Sequence, residues 1–311
     1  MKYLVIGEPC VDVIHKVDGE LIHSYGGILY SILALSVLTK NDDVVLPLMN
    51  LGEDEYDNIT AILNKYPSIS TEGIFRVSHP TRKVNLYYNQ YKSGMSARLE
   101  QSTEPTYTLD YSSIEKFLKD ADALLINMIS GVDITLETIK KIKNNFNGTS
   151  HIDIHNLVMK TNKDGTREHT SVDNWIDWCI NTDTIQMNEY EILSLSEKKM
   201  KEYEIAEKML VHPESKVQGV IVTRGINGTS GYTKKEKKYG TEKYFDLDKM
   251  DLSAVENPHF VDSTGCGDVF AASFLYDFSV NENFAKSLHF ANRIASFNAS
   301  LEGIDELYKL R

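Results

Sequence analysis

The chain is short of positive charge. Its 33 Lys and Arg face 45 Asp and Glu, a formal net charge of −12 across 311 residues. That balance repels phosphate backbones, which argues against nucleic acid as a partner. It repels a free nucleotide as well, so any nucleotide site has to be a local exception built from backbone amides, a few cations or a metal. Cysteine is scarce too: Cys10, Cys179 and Cys266 make an odd number, and none stands in a Cys-x-x-Cys pair. This argues against a disulfide framework or a zinc site and points to a reducing compartment, with the cytoplasm as the expected location. No run approaches the ~18 apolar residues of a membrane-spanning helix. The opening run Met1–Gly7 is short and is followed by Glu8 and Asp12, so it reads as a first strand rather than a signal peptide. Without such a signal, the Asn-x-Ser/Thr triplets at Asn147 and Asn227 count as chance. The sequence also has no internal repeat, low-complexity stretch or long linker.

What is present is an ordinary globular composition, 41% hydrophobic and 25% charged. Residues 3–7 read as a buried strand, and residues 11–17 alternate as a half-exposed one. Tyr25-Gly26-Gly27 breaks the chain before a nearly all-apolar helix over 28–38, the pattern of a helix buried on most sides. A strand over 43–48 and a helix over about 55–65 follow. Residues 82–99 alternate around a turn at Ser93-Gly94, as an antiparallel hairpin with one wet face. From 121 onward, strands at 122–127, 149–154, 183–187 and 217–222 alternate with helices at about 134–145, 171–178 and a broken 189–211. That alternation predicts a mostly parallel sheet with helices on both faces. Short lysine-rich strands over 228–248 carry a turn at Lys234–Lys238, and helices over 266–278 and 282–300 close the chain. The simplest architecture is one doubly wound α/β domain. Strands from about 11–24 and 82–99 form a small β-sheet lid over the strand ends, where ligands sit in open α/β sheets.

The most informative stretch is Val261-Asp262-Ser263-Thr264-Gly265-Cys266-Gly267-Asp268-Val269. A strand over 258–261 is expected to feed a Gly-x-Gly turn that opens an apolar helix. The first turn of a helix carries unpaired N–H groups and the positive end of the macrodipole. Glycine lets those amides approach an anion without a Cβ in the way. Gly265, Cys266, Gly267 and Asp268 thus describe an anion hole suited to a phosphoryl group in flight. Asp268 sits in the same turn, where the dipole should keep its carboxylate ionised, ready to take a proton from an attacking hydroxyl. Taken alone, the same residues also describe an ordinary strand–helix turn. The dinucleotide fingerprint fails, because Phe270 stands where a third glycine is needed, and no GxxxxGK[ST] loop exists.

Asp262-Ser263-Thr264-Gly265-Cys266-Gly267-Asp268 resembles the C-terminal signature of the ribokinase-like (PfkB-type) carbohydrate kinases, usually Asp-Thr-x-Gly-Ala-Gly-Asp, with Cys266 replacing the common alanine. Further motifs follow in that family's order along nearly the whole chain: Gly7 with Asp12, Gly26-Gly27, Gly52-Glu53-Asp54, Pro80-Thr81, Asn188-Glu189-Tyr190-Glu191 and Thr223-Arg224-Gly225. By itself Asn-x-x-Glu is a common helix N-cap pattern; the ordered set is what lifts it. The resemblance implies a three-layer α/β/α domain over 1–311. It implies a substrate pocket at Asp12, Gly26, Gly27 and Ser31, and a nucleotide site at Thr223, Gly225, Gly228 and Asn292. Asn188 and Glu191 would position magnesium largely through water, and Asp262 and Thr264 match part of a potassium-binding loop. Ser31 stands where the family commonly has asparagine, and Cys10 where a polar residue is frequent. Both departures fall in the sugar pocket and bear on which acceptor is used. Asp153-Ile154-His155-Asn156, at a strand end, is a further candidate for that pocket or for the nucleotide.

The activity so implied is transfer of the γ-phosphoryl group of ATP to a hydroxyl of a sugar-like molecule, with Asp268 as the base. The lid would close to exclude water and could pair two subunits as a homodimer. Two alternatives stand beside this: the same fold acting on a nucleoside or a vitamin-like alcohol, and a non-catalytic metabolite sensor.

Overall fold

The computed structural model describes residues 1–15, 19–88, 98–239 and 242–310. The first half of the chain runs β1 (Lys2–Ile6), β2 (Pro9–His15), β3 (Leu21–Gly27), α1 (Leu29–Leu38), β4 (Val44–Gly52), α2 (Tyr56–Leu63), β5 (Ile74–Val77), β6 (Arg82–Tyr88), β7 (Arg98–Ser102), α3 (Tyr111–Leu118), β8 (Ala123–Asn127), α4 (Leu136–Asn145) and β9 (Thr149–Asp153). It continues through β10 (Met159–Thr161), β11 (Arg167–His169), α5 (Trp175–Cys179), β12 (Thr184–Asn188), α6 (Glu189–Ser194), α7 (Glu202–Val211), β13 (Gly219–Thr223), β14 (Thr229–Tyr239), β15 (Glu242–Leu252), α8 (Cys266–Asn281) and α9 (Phe284–Asn298).

The main sheet has the order β15-β14-β13-β12-β9-β8-β1-β4-β5. From β13 to β5 every pairing is parallel; β14 and β15 add an antiparallel edge. β1 explains how one sheet supports two cores. Side chains alternate across a strand, so Leu4 and Ile6 join a cluster with Leu46, Leu124, Ile139 and Ile205, while Tyr3 and Val5 join one with Ile32, Leu35, Leu63 and Leu275. Helices α3, α4, α6 and α7 cover the first face; α1, α2, α8 and part of α9 cover the second. Helix α1 has nine of its ten residues buried, as its uniform apolarity predicts.

A second sheet, ordered β3-β2-β6-β7, is the small lid. Its β2–β6 pairing is parallel and its outer pairings antiparallel. The turn expected at Ser93-Gly94 lies outside the described residues. The β10–β11 hairpin attaches to this side through a bridge between Gln101 and Thr166.

Several boundaries differ from the sequence expectation. No strand forms over 258–261; the amides of Val261 and Asp262 donate instead to the carbonyl of Ala299 at the end of α9. Lys234–Lys238 is not a turn but the middle of β14, paired residue for residue with β15. Its charges are accommodated because the ribbon is exposed: Lys237 pairs with Asp246 at 2.5 Å and Lys234 lies 3.7 Å over the Phe245 ring. The helix expected over 171–178 shortens to Trp175–Cys179, and β4 runs on through Asn50-Leu51-Gly52.

Candidate active site

The parallel strands β8, β9, β12 and β13 all end on the same side of the sheet, and the start of α8 lies across those ends. Gly265 takes the left-handed conformation (φ +73°), and a Cβ there would lie 2.2 Å from the Tyr30 ring. Glycine is therefore required on both backbone and steric grounds. A Cβ on Gly267 would meet nothing within 4 Å, so its backbone faces open space. Of the predicted anion-hole amides, Cys266 N–H turns back to the Ser263 carbonyl at 3.2 Å. Among the described residues, no acceptor lies against the N–H of Gly265 or Gly267. The helix start keeps two open donors rather than the full set the sequence suggested.

Asp268 is partly exposed in the first turn of α8, and its carboxylate accepts a 2.7 Å hydrogen bond from Asn127 Nδ2 at the end of β8. Its pKa is pushed up to about 7, chiefly by burial and secondarily by the negative charge of Asp12, against the lowering effect of Asn127. The dipole argument had it fully ionised; desolvation outweighs the dipole here. Ser31, expected to touch substrate, is fully buried, and its hydroxyl donates to the Asp268 carbonyl at 3.1 Å. It ties α1 to the start of α8 instead of facing the cleft.

Behind this turn lies a buried acidic group. Gln186 Nε2 donates both to Asp153 at 2.9 Å and to the Gly267 carbonyl at 3.0 Å. Burial raises Asp153 well above the carboxylate range, with further contributions from Glu191 and Asp268. Asn188 and Glu191 form a complete capping box at the start of α6. Asn188 Oδ1 accepts from the amides of Tyr190 and Glu191 at 2.8 and 2.9 Å, and Glu191 Oε2 accepts from Asn188 N–H at 2.6 Å. Glu191 is nonetheless raised to about 7, mainly by burial and then by Asp268, with the Asn188 amide opposing. Glu191 Oε1 points away from the cap, 3.9 Å from His155 Nδ1. No cluster of three metal-ligating side chains occurs among the described residues. The cap leaves only Glu191 Oε1 outside its hydrogen bonds, which fits contact with a divalent cation through that cation's water shell rather than direct ligation.

On one flank, the register places Thr223 beside Asn188. Gly225 and Gly228 both take positive φ, and a Cβ on Gly228 would lie 1.9 Å from the Leu252 carbonyl. Arg224, just before Gly225, is fixed by ion pairs to Glu202 and Glu189. The loop after β15 runs along α9: Asn292 Nδ2 donates to Ser253 O at 2.9 Å and Ser296 Oγ to Val255 O at 2.9 Å. Ile226, Val255, Phe260 and Phe297 are exposed on these segments. Asp262 accepts from the Thr264 amide at 3.2 Å, which commits part of its carboxylate to the turn.

On the other flank, Asp12 is buried in β2, and a Cβ on Gly26 would sit 2.3 Å from Asp12 Oδ2. Gly27 takes φ +63°, with a Cβ position 2.6 Å from the Glu8 carbonyl. These two glycines give the carboxylate its room. The Tyr30 hydroxyl is raised, first by burial and then by Asp12, Asp262 and Asp268; its ring stands between the two motifs. Sequence reasoning missed Asn127 and Gln186, ordinary amides at strand ends, and Tyr30, which reads as core. It also missed Glu8, Arg82 and Arg167, which come together beneath the lid from positions far apart in the chain.

The topology around this cleft is that of the ribokinase fold. A ribokinase from Giardia lamblia superposes with a TM-score of 0.73 at 19% identity, covering 98% of this chain and 95% of that one. Arabidopsis thaliana ribokinase, solved with ribose and ATP, gives 0.68 at 17% identity, covering 99% and 97%. A Burkholderia thailandensis nucleoside kinase, solved with inosine, gives 0.69 at 15% identity, covering 98% and 93%. Residues 176–308 match the model of the pfkB family carbohydrate kinases. No curated protein matches the chain by sequence. The resemblance to the ribokinase-like (PfkB-type) carbohydrate kinases therefore holds in sequence over the C-terminal part and in fold along the whole length. No helix among the described residues is long and apolar enough to cross a membrane.

Proposed function

We propose that this chain is a kinase that transfers the γ-phosphoryl group of ATP to a hydroxyl of a sugar or sugar-like molecule, working as one unit over 1–311. The observation that carries this reading is Asp268: a carboxyl raised to about 7, in the first turn of α8, beside the open amides of Gly265 and Gly267. A base near neutrality is matched to taking a proton from an alcohol as it attacks. The acceptor O–H proton passes to Asp268, the acceptor oxygen bonds to the γ-phosphorus, and the bond to the bridging oxygen breaks to release ADP. The open amides face the charge carried through that transfer.

The acceptor lies between Asp12 and Asp268, with the Gly26-Gly27 backbone at its side. Adenine is placed against the exposed apolar side chains of the 225–228 turn and α9, near Asn292. Asn188 and Glu191 would hold magnesium through water, which would supply neutralisation of phosphate charge, and Asp262 and Thr264 are where potassium would bind. The lid sheet closes over the acceptor and excludes water; its outer strand β3 is the edge offered for pairing two subunits.

A nucleoside acceptor is the second reading, favoured by the nucleoside kinase of the same fold. A sensor without catalysis would have no use for a base at this position. ADP release measured with ATP and a panel of sugars and nucleosides separates these. Asp268→Asn should lower turnover by several orders of magnitude with nucleotide affinity kept; a variant working near the wild-type rate removes Asp268 from the role of base.

A further inference from the structure

The cleft described so far is acidic, yet its acceptor end holds two buried guanidinium groups. Arg82, at the start of β6, is 3% exposed, and Arg167, in β11, is 9% exposed at its side chain. Arg82 lies in register with Cys10, two residues from Asp12 on the same face of β2. Arg167 feels the charge of Arg82: its guanidinium is lowered to about 10, first by burial and then by Arg82. Both also act on His155, which is lowered to about 4 by burial and then by Arg167 and Arg82. Geometry brings them together around β7: Arg82 Nη2 reaches Ser102 Oγ at 3.3 Å, the Ser102 amide donates to the Gly165 carbonyl at 3.2 Å, and Arg167 Nη1 stands 3.6 Å from Glu100 on the same strand, with Cys10 in register beside Arg82.

Each arginine has one carboxylate at 3.6 Å, Glu8 for Arg82 and Glu100 for Arg167, and each keeps a buried Nε without an acceptor. Arg82 donates to the Ile129 carbonyl at 3.0 Å and to Ser102 Oγ at 3.3 Å, but its Nε is buried with no acceptor. The nearest carboxylate, Glu8, stands 3.6 Å from Arg82 Nη1 and spends one oxygen on the amide and hydroxyl of Thr106. Its other oxygen, Oε2, makes no hydrogen bond. Arg167 approaches Glu100 only to 3.6 Å, and its Nε is likewise buried and unpaired. Buried like charges are costly unless anions compensate them, and Glu8 and Glu100, at 3.6 Å each, do so without filling every donor. A planar fork of N–H donors is the group that receives a carboxylate or phosphate in two-pronged fashion. An anchoring role for Arg82 accounts for its bonds to Ile129 and Ser102, but not for either Nε or for Arg167.

We propose that the acceptor of this kinase carries an anionic group, a carboxylate or a phosphate, received by Arg82 and Arg167 while its hydroxyl faces Asp268. This rests on the reading of the Asp12–Asp268 cleft as the acceptor site. It also accounts for Cys10, which packs beside the cluster as a small neutral group where a further polar contact to a sugar hydroxyl would otherwise stand.

The test pairs each anion with its neutral counterpart on the full-length protein: gluconate against sorbitol for the carboxylate, ribose 5-phosphate against ribose for the phosphate. ADP release is read with ATP and magnesium, and the melting temperature is read without nucleotide. In at least one pair the anionic member should give the higher kcat/KM and the larger rise in melting temperature; which pair responds tells carboxylate from phosphate. Arg167→Gln should raise the KM for that anion roughly 10- to 100-fold, a loss at least tenfold greater than for its neutral partner. Arg167→Lys should keep part of the preference. Neutral members that serve as well as the anions, or an Arg167→Gln loss equal for both, overturn the proposal. If no acceptor yields ADP, the kinase reading fails, and the melting-temperature arm still decides this one. A rise with either anion that vanishes in Arg167→Gln upholds the pair as an anion site; no rise specific to the anions refutes it.

Discussion

Removing the Asn127 amide should move the pH profile of the reaction without removing the base. Asn127 Nδ2 donates to Asp268 at 2.7 Å, and this bond opposes the burial that raises the carboxyl. A hydrogen bond to a charged group contributes about 1.5–3 kcal/mol, and one pKa unit corresponds to about 1.4 kcal/mol. Loss of the donor in Asn127→Ala therefore raises Asp268 from about 7 by roughly one unit, allowing for water that enters the space. The base works only when deprotonated, so activity climbs as pH rises through this pKa. The acid limb of kcat/KM should shift upward by about one pH unit, with rates converging on the wild type well above it. The assay is ADP release from pH 5 to 9.5 at saturating ATP. An acid limb that stays in place or moves down in Asn127→Ala refutes the assignment of Asp268 as the group that titrates.

Gly265→Ala forces a Cβ toward the Tyr30 ring at a positive φ; it should destabilise the fold by about 1–3 kcal/mol in denaturant unfolding and abolish activity, and a neutral result would contradict the close packing. Gly26→Ala pushes on Asp12 Oδ2, so the KM for the acceptor should rise with nucleotide affinity unchanged, as read by kinetics and calorimetry. Glu191→Gln should raise the magnesium concentration needed for half-maximal rate; an unchanged requirement counts against a role at the metal. Asp268, Glu191 and Asp133 are all raised to about 7, each chiefly by burial. A raised carboxyl lends stability below its unfolded pKa and loses it as pH climbs through the folded one. Thermal unfolding should therefore show lower stability at pH 8 than at pH 5, and Asp268→Asn should lessen that loss.

How far the sequence could be read depends on whether a signal is local. The parallel core was legible because each strand–helix unit announces itself in a few residues, as in Ala123–Asn127 followed by Leu136–Asn145. The Asn188–Glu191 cap was legible as a cap for the same reason. The β14–β15 ribbon was not, since four lysines among six residues look like a turn until an exposed partner strand is known. Val261 and Asp262 were read as strand because a short apolar run carries no mark of what it will pack on, here the end of α9. Asp268 was singled out from its motif, but the raised pKa of its carboxyl was not legible: the dipole is local to the helix, whereas burial depends on the whole assembly. Arg82 and Arg167 are 85 positions apart, and nothing in either neighbourhood indicates that they meet.

The place of Tyr30 has a consequence for any shortened form of the chain. The segment recognised as pfkB-like begins at 176 and contains the signature turn with Asp268. Yet the ring that seats Gly265, the hydroxyl of Ser31 that holds the start of α8, and the amide of Asn127 all come from residues before that point. A fragment starting at 176 would carry the motif without the mould that shapes it. Complementation by a separately expressed 1–175 piece would restore turnover only to the extent that the two pieces dock.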